Sequence, residues 1–168
     1  INTCNSKRVG DKMIRIIGIG EMAISNDIND SIKTYALGSC VGITAYSSKR
    51  KVGGLIHIAL PSPSKIVDVD TRCCFYASTG LPIFINKFHK EYGCSKGELI
   101  INVFGGANSI RNCDAFNVGR KNVEFVKKYL DDVNLKINLM ETGENVSRTV
   151  ELNVATGEIT VWHQKIII

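Results

Sequence analysis

Val41–Pro61 reads VGITAYSSKRKVGGLIHIALP. Two apolar, β-branched runs, Val41–Tyr46 and Val52–Leu60, flank a polar turn around SSKRK. That pattern predicts an antiparallel hairpin. Pro61 and Pro63 stop the second run, and residues 61–72 are expected to form a loop. The hairpin fixes one juxtaposition. Cys40 lies just before the first strand and His57 lies late in the second, so a thiol and an imidazole fall at the same end.

The chain upstream sharpens this. TYALGSC, Thr34–Cys40, brings a strand (IKTYAL) to a small-residue bend at Gly38 and Ser39. Before it, MIRIIGIGEMAIS (Met13–Ser25) is a strand in which Gly18 and Gly20 mark a bulge or a close backbone approach. Downstream, Leu81, Phe84, Ile85, Phe88 and Tyr92 recur at helical spacing, with Thr79 as the expected cap and Gly93 as the stop. A start nearer Thr71 would instead put a kink at Pro82. ELIINVF (Glu98–Phe104) is a strand running into the Gly105-Gly106 loop. A second helix follows, with Val123, Val126, Leu130 and Val133 on one stripe and Asn117 as its cap. KINLME, RTVELNV and EITVWH are strands, the last two joined as a hairpin by ATG. Trp162 is expected to pack within the last one. The order of elements predicts an α+β domain, a largely antiparallel sheet system carrying helices on its outer faces.

Length and composition fit one globular domain, residues 1–168, with a polar N-terminal tail over 1–12. Of the 168 residues, 44% are hydrophobic and 22% charged. The net charge of +5 is scattered in short basic pairs, which argues against nucleic acid as a partner. An acidic protein partner would suit it. No apolar run reaches the roughly 18 residues that span a bilayer, and INTCNSKRVGDK lacks a signal-peptide core. A cytoplasmic protein without membrane insertion is the expectation. The six cysteines (Cys4, Cys40, Cys73, Cys74, Cys94, Cys113) include no C-x-x-C, and the three histidines are far apart. Neither a disulfide framework nor a metal site is expected. Cys73 and Cys74 read as packing residues, and His89 and His163 as surface ones.

Cys40 is either a small core residue or a nucleophile with His57 as its base. A thiol attacks well only after losing its proton, and an imidazole can take that proton and return it to a leaving amine. The bend at Gly38 and Ser39 can present N–H groups to an oxyanion. Thr34 would supply a hydroxyl to His57 or to substrate. Gly105 and Gly106 either line the site or simply make a tight turn. No cofactor is needed for such chemistry.

The ordered set IIGIGE, TYALGSC, GLIHIALP, FGGANS, GRKNVEFVKKYL and TGENVSRTVELNVATGEITV resembles the chemoreceptor glutamine deamidase (CheD) family of chemotaxis, over about residues 13–161. The resemblance implies two packed β-sheets flanked by helices, an α/β/β/α-type sandwich related to a toxin deamidase. It implies a protein-glutamine glutaminase acting on methyl-accepting chemotaxis receptors. Cys40 would be the nucleophile, His57 its base and Thr34 the third member, with a methylesterase side activity possible by the same route. It also implies a CheC-type phosphatase as a partner, and with it an alternative role as a non-catalytic regulatory module. One departure stands at Glu144, where the family pattern has glycine, although Asn145 and Arg148 are kept.

Overall fold

In the computed structural model, residues 5–64, 73–108 and 117–166 are described. Cys4, Cys113, Ser109, the centre of the loop after Pro63 and the last two residues lie outside them. Ten strands and two helices run in the order β1 (Asn5–Val9), β2 (Lys12–Ile17), β3 (Met22–Ser25), β4 (Asp30–Leu37), β5 (Val41–Ser47), β6 (Val52–Ile58), α1 (Ala77–Tyr92), β7 (Ile100–Gly105), α2 (Val118–Asp132), β8 (Ile137–Thr142), β9 (Val146–Asn153) and β10 (Ile159–Lys165). They build two five-stranded sheets, ordered β1-β2-β4-β9-β10 and β3-β6-β5-β7-β8. Among the described strand pairs, β2 with β4 and β7 with β8 are parallel and the rest antiparallel. The fold is α+β, with the two sheets packed face to face.

The hairpin of β5 and β6 sits at the centre of the second sheet, and its alternation sorts the core. Val41, Ile43, Ala45, Ile56 and Ile58 face the helices, against Leu81, Phe84 and Phe88 of α1 and Val126 and Leu130 of α2. Gly42, Thr44, Leu55 and His57 point the other way, into the layer between the sheets, where Leu55 meets Ile17, Ile32 and Val154. Both described helices rest on this second sheet, α1 on β6 and α2 on β5 and β8. Among the described residues the layers therefore run helices, sheet, sheet. The outer face of the first sheet carries Lys33 stacked over the rings of Tyr35 and Trp162.

Several local expectations are corrected. Met13–Ser25 is not one strand. The chain leaves the first sheet after Ile17 and enters the second at Met22, and Gly20 (φ 76°) makes the corner. Part of the presumed tail is β1, an exposed edge strand paired with β2. Helix α1 starts at Ala77, so Thr79 lies inside its first turn, donating to the carbonyls of Cys73 and Tyr76. Gly93 closes α1 in the left-handed conformation (φ 68°), as its position predicts. Asn117 stands at the cap position of α2 but makes no side-chain cap bond. Glu98 belongs to a short 3₁₀ turn, where it forms a capping box with Ser95. Trp162 lies in the last strand, where it packs against Lys33 on the outer face and stays 46% exposed.

Candidate active site

The hairpin register pairs Gly42 with His57 and Val41 with Ile58, which sets Cys40 one step beyond the ladder, opposite Ala59. The Cys40 side chain packs on the Leu37, Phe104 and Val150 cluster, in the layer between the sheets that His57 also enters. Diagonal neighbours across such a ladder lie about 7–8 Å apart, somewhat less at Cβ, and no hydrogen bond joins His57 Nε2 to the Cys40 sulfur in this structure. Thr34 enters the same layer from β4 of the opposite sheet and has no solvent exposure.

The histidine is held at three points. Its N–H donates to Glu21 O at 3.0 Å, and its carbonyl accepts from Gly20 N at 2.8 Å. The corner between the sheets thus clamps the His57 backbone. Glu21 is itself fixed, its carboxylate accepting from Gly18 N at 2.7 Å. On the side chain, Nδ1 lies 2.7 Å from Thr34 Oγ1, which also lies 2.9 Å from Ile17 O. A hydroxyl has one proton. Donated to Ile17 O, it leaves Oγ1 as the acceptor of Nδ1–H, so both contacts are satisfied only when Nδ1 carries the ring proton. The lone pair then resides on Nε2, which is buried and has no partner. Burial lowers the His57 pKa to about 4 from 6.5. The Cys40 pKa moves the other way, raised by burial and lowered in part by its own backbone N–H. With His57 a free base and Cys40 a thiol, the resting pair is neutral.

The Gly38–Cys40 turn is pinned by its carbonyls. Gly38 O accepts from Ala107 N and Cys40 O from Gly106 N, both at 2.8 Å. The Gly106 N–H is thus committed to the turn and is not offered to an oxyanion. Gly105 (φ 102°) allows the close approach: a Cβ there would lie 2.3 Å from Cys40 O. Gly106 and Gly119 do the same between this loop and α2. The glycine pair therefore buttresses Cys40.

Two further residues support the turn. Asn122 of α2 is fully buried and donates to Ser39 O at 3.0 Å and Ala59 O at 2.9 Å. Arg148, 2% exposed, binds Glu141 at 3.0 Å and Gly143 O at 3.0 Å. It thereby holds the β8–β9 turn, whose Gly143 N donates to Gly105 O. Glu144 takes φ 58° in that turn, the conformation that glycine favours. The motifs contain Asn122 without marking it. The signal was its spacing: Asn122, Val126 and Leu130 lie at i, i+4 and i+8, so a polar amide sits on the buried face of α2.

The remaining candidates lie elsewhere. His89 is exposed, and His163 pairs with Glu141 at the surface. Cys73 and Cys74 are free, with sulfurs 3.5 Å apart. A groove of about 560 Å³ beside α1, lined by Pro82, Ile85, His89, Leu99 and Tyr129, includes none of the residues around Cys40. Among the described residues no three His, Cys, Asp or Glu side chains gather as a metal site, and no helix is long and apolar enough to cross a membrane.

Comparison with known proteins bears on most of the chain. A family model described as CheD chemotactic sensory transduction matches residues 59–163. A protein of Syntrophus aciditrophicus named "Probable chemoreceptor glutamine deamidase CheD 1" is 37% identical over 147 residues, 87% of this chain and 91% of that one. A similarly named protein of Syntrophotalea carbinolica is 37% identical over 150 residues, again 87% and 91%. A solved structure, the hypothetical protein YfiH of Bacillus licheniformis, is similar at a TM-score of 0.46 and 11% identity, over 72% of this chain and 49% of that one.

Proposed function

The chain belongs to the CheD family, and from that premise we propose that it hydrolyses glutamine side chains of chemotaxis receptors to glutamate and ammonia. Cys40 is the nucleophile, His57 the base and then the acid, and Thr34 the group that fixes the imidazole. The observation that carries this reading is the shared Thr34 hydroxyl, which leaves the His57 Nε2 lone pair unpartnered in the layer where Cys40 packs.

Because thiol and imidazole are both neutral at rest, proton transfer accompanies attack. Sγ bonds to the carboxamide carbon as its proton passes to Nε2. The carbonyl oxygen becomes an oxyanion facing the N–H groups of the Ser39–Cys40 bend. Its collapse breaks the C–N bond, and Nε2–H protonates the departing nitrogen, releasing ammonia. Water, deprotonated by His57, then splits the thioester and returns the thiol. A methyl glutamate ester would follow the same route with methanol leaving, so the proposal extends to an esterase side activity.

The test is incubation with the cytoplasmic fragment of a chemotaxis receptor. One ammonia should appear per glutamine converted, with a gain of one dalton at that residue. Equal activity in Cys40→Ala protein would end the proposal. The CheC-type phosphatase that the resemblance implies is tested by co-purification with wild-type and Cys40→Ala protein. Binding without any wild-type deamidation would favour the purely regulatory role.

A further inference from the structure

Three carbonyls of the nucleophile turn accept hydrogen bonds, and only one of the three donors is a side chain. Gly38 O and Cys40 O take backbone N–H groups of Ala107 and Gly106. Ser39 O takes Asn122 Nδ2, which also reaches Ala59 O, two residues past His57. Both acceptors are carbonyl oxygens, so the amide must face them with its NH₂, one hydrogen to each. Its Oδ1 is left buried and without a partner. A buried polar atom costs free energy when unpaired. The side chain thus leaves its own oxygen unsatisfied while fixing two backbone segments of the site.

The geometry of the peptide bond gives that contact a direction. A trans peptide points its C=O and N–H opposite ways, and the described chain has no cis bonds. Ser39 C=O and Cys40 N–H belong to one peptide plane. With Ser39 O tied to α2, the Cys40 N–H is turned to the other side, against the Cys40 sulfur, where it partly offsets the effect of burial on the thiol. A carbonyl carbon attacked by that sulfur would carry its oxygen beside the same N–H.

We propose that Asn122 is a positioning residue for the acyl transfer: by holding Ser39 O it aims the Cys40 N–H at the developing oxyanion, without touching substrate. The second bond, to Ala59 O, ties the same amide to the strand that bears His57. The two halves of the site are thereby registered to one point on α2. This inference rests on the acyl-transfer reading of Cys40.

The test uses the full chain with Asn122→Asp and Asn122→Ala, and reads two reactions of the same sulfur. One is hydrolysis of a glutamine-bearing receptor fragment, which builds an oxyanion. The other is alkylation of Cys40 by iodoacetamide, a displacement at saturated carbon that builds none. Loss of one oxyanion donor lowers kcat about 100- to 1,000-fold in other acyl-transfer enzymes. Here kcat should fall about 100-fold with KM within about twofold, while alkylation stays within about threefold of wild type. A parallel fall in both reactions would overturn the proposal, because it would mean that the sulfur or the base had moved. So would unaltered kcat in both variants, or failure of both to fold, which would make Asn122 a folding residue. An active wild type with unaltered variants refutes this inference alone. A wild type that hydrolyses nothing refutes the acyl-transfer reading, and this inference with it.

Discussion

Replacing Thr34 with valine tests the tautomer on which the mechanism depends. Valine keeps the β-branched shape, so the fully buried site stays filled. What is lost is the oxygen that accepts from Nδ1 at 2.7 Å and donates to Ile17 O at 2.9 Å. The Nδ1–H is then a buried donor without an acceptor, a penalty of about 1–3 kcal/mol. Nothing any longer favours it over the tautomer with the proton on Nε2, where it blocks the base. Since 1.36 kcal/mol is a factor of ten in rate, that penalty corresponds to about 5- to 150-fold. A reversed tautomer in the serine-protease triad costs about 10⁴ and sets the upper limit. We expect kcat for receptor-fragment deamidation to fall about 10- to 100-fold in Thr34→Val, with KM within about twofold, and Thr34→Ser to recover most of it. Nitrogen NMR of the ring should find the proton on Nδ1 in the wild type and a mixture in the variant. A Thr34→Val protein with more than half of wild-type kcat, or a wild-type ring protonated on Nε2, would refute the reasoning.

Two other predictions follow from burial and from close packing. Burial lowers the His57 pKa to about 4, so kcat/KM should hold from neutral pH to about 5 and halve near 4; an acid limb at 6 to 7 would contradict it. Folded His57 stays neutral between about 4 and 6.5, where an unfolded histidine binds a proton, so stability rises with pH across that window. Acidification through it should cost up to about 3 kcal/mol in urea unfolding, and His57→Gln should flatten that slope. Gly105→Ala would set a methyl 2.3 Å from Cys40 O at φ 102°. Backbone strain of about 1–3 kcal/mol and overpacking of about 1–3 kcal/mol should together destabilise the protein by about 2–6 kcal/mol. An unchanged urea midpoint would show that the loop does not press on the turn.

The Cys40 and His57 end of the site was legible because it is local. Two apolar, β-branched runs with one short turn between them predict a hairpin, and its register puts the two groups at one end. The helices were legible by the same kind of periodicity, and Gly93 by its stop signal. Chain order alone could not show that Met13–Ser25 divides between two sheets, since both halves read equally as strand. Nor could it show that the corner made there clamps His57, because Glu21 and His57 meet only when β3 pairs with β6. Thr79 is no cap: it lies inside the first turn, and its hydroxyl turns back to the carbonyls of Cys73 and Tyr76, which precede the helix. Trp162 lies on the open side of an edge strand, a placement set by sheet order and not by hydrophobicity.

The chain by itself determined the chemical groups and the hairpin that carries two of them, since strand pairing over a short turn needs only nearby residues. The packing of one sheet on the other decided the rest. It brought Thr34 from a different sheet to select the nitrogen that bears the proton, while the packing of α2 on the second sheet set Asn122 against Ser39. Those contacts join residues 23 and 83 positions apart in the chain. A proton's place on a ring and a peptide plane's direction are fixed by such neighbours, and no local pattern contains them.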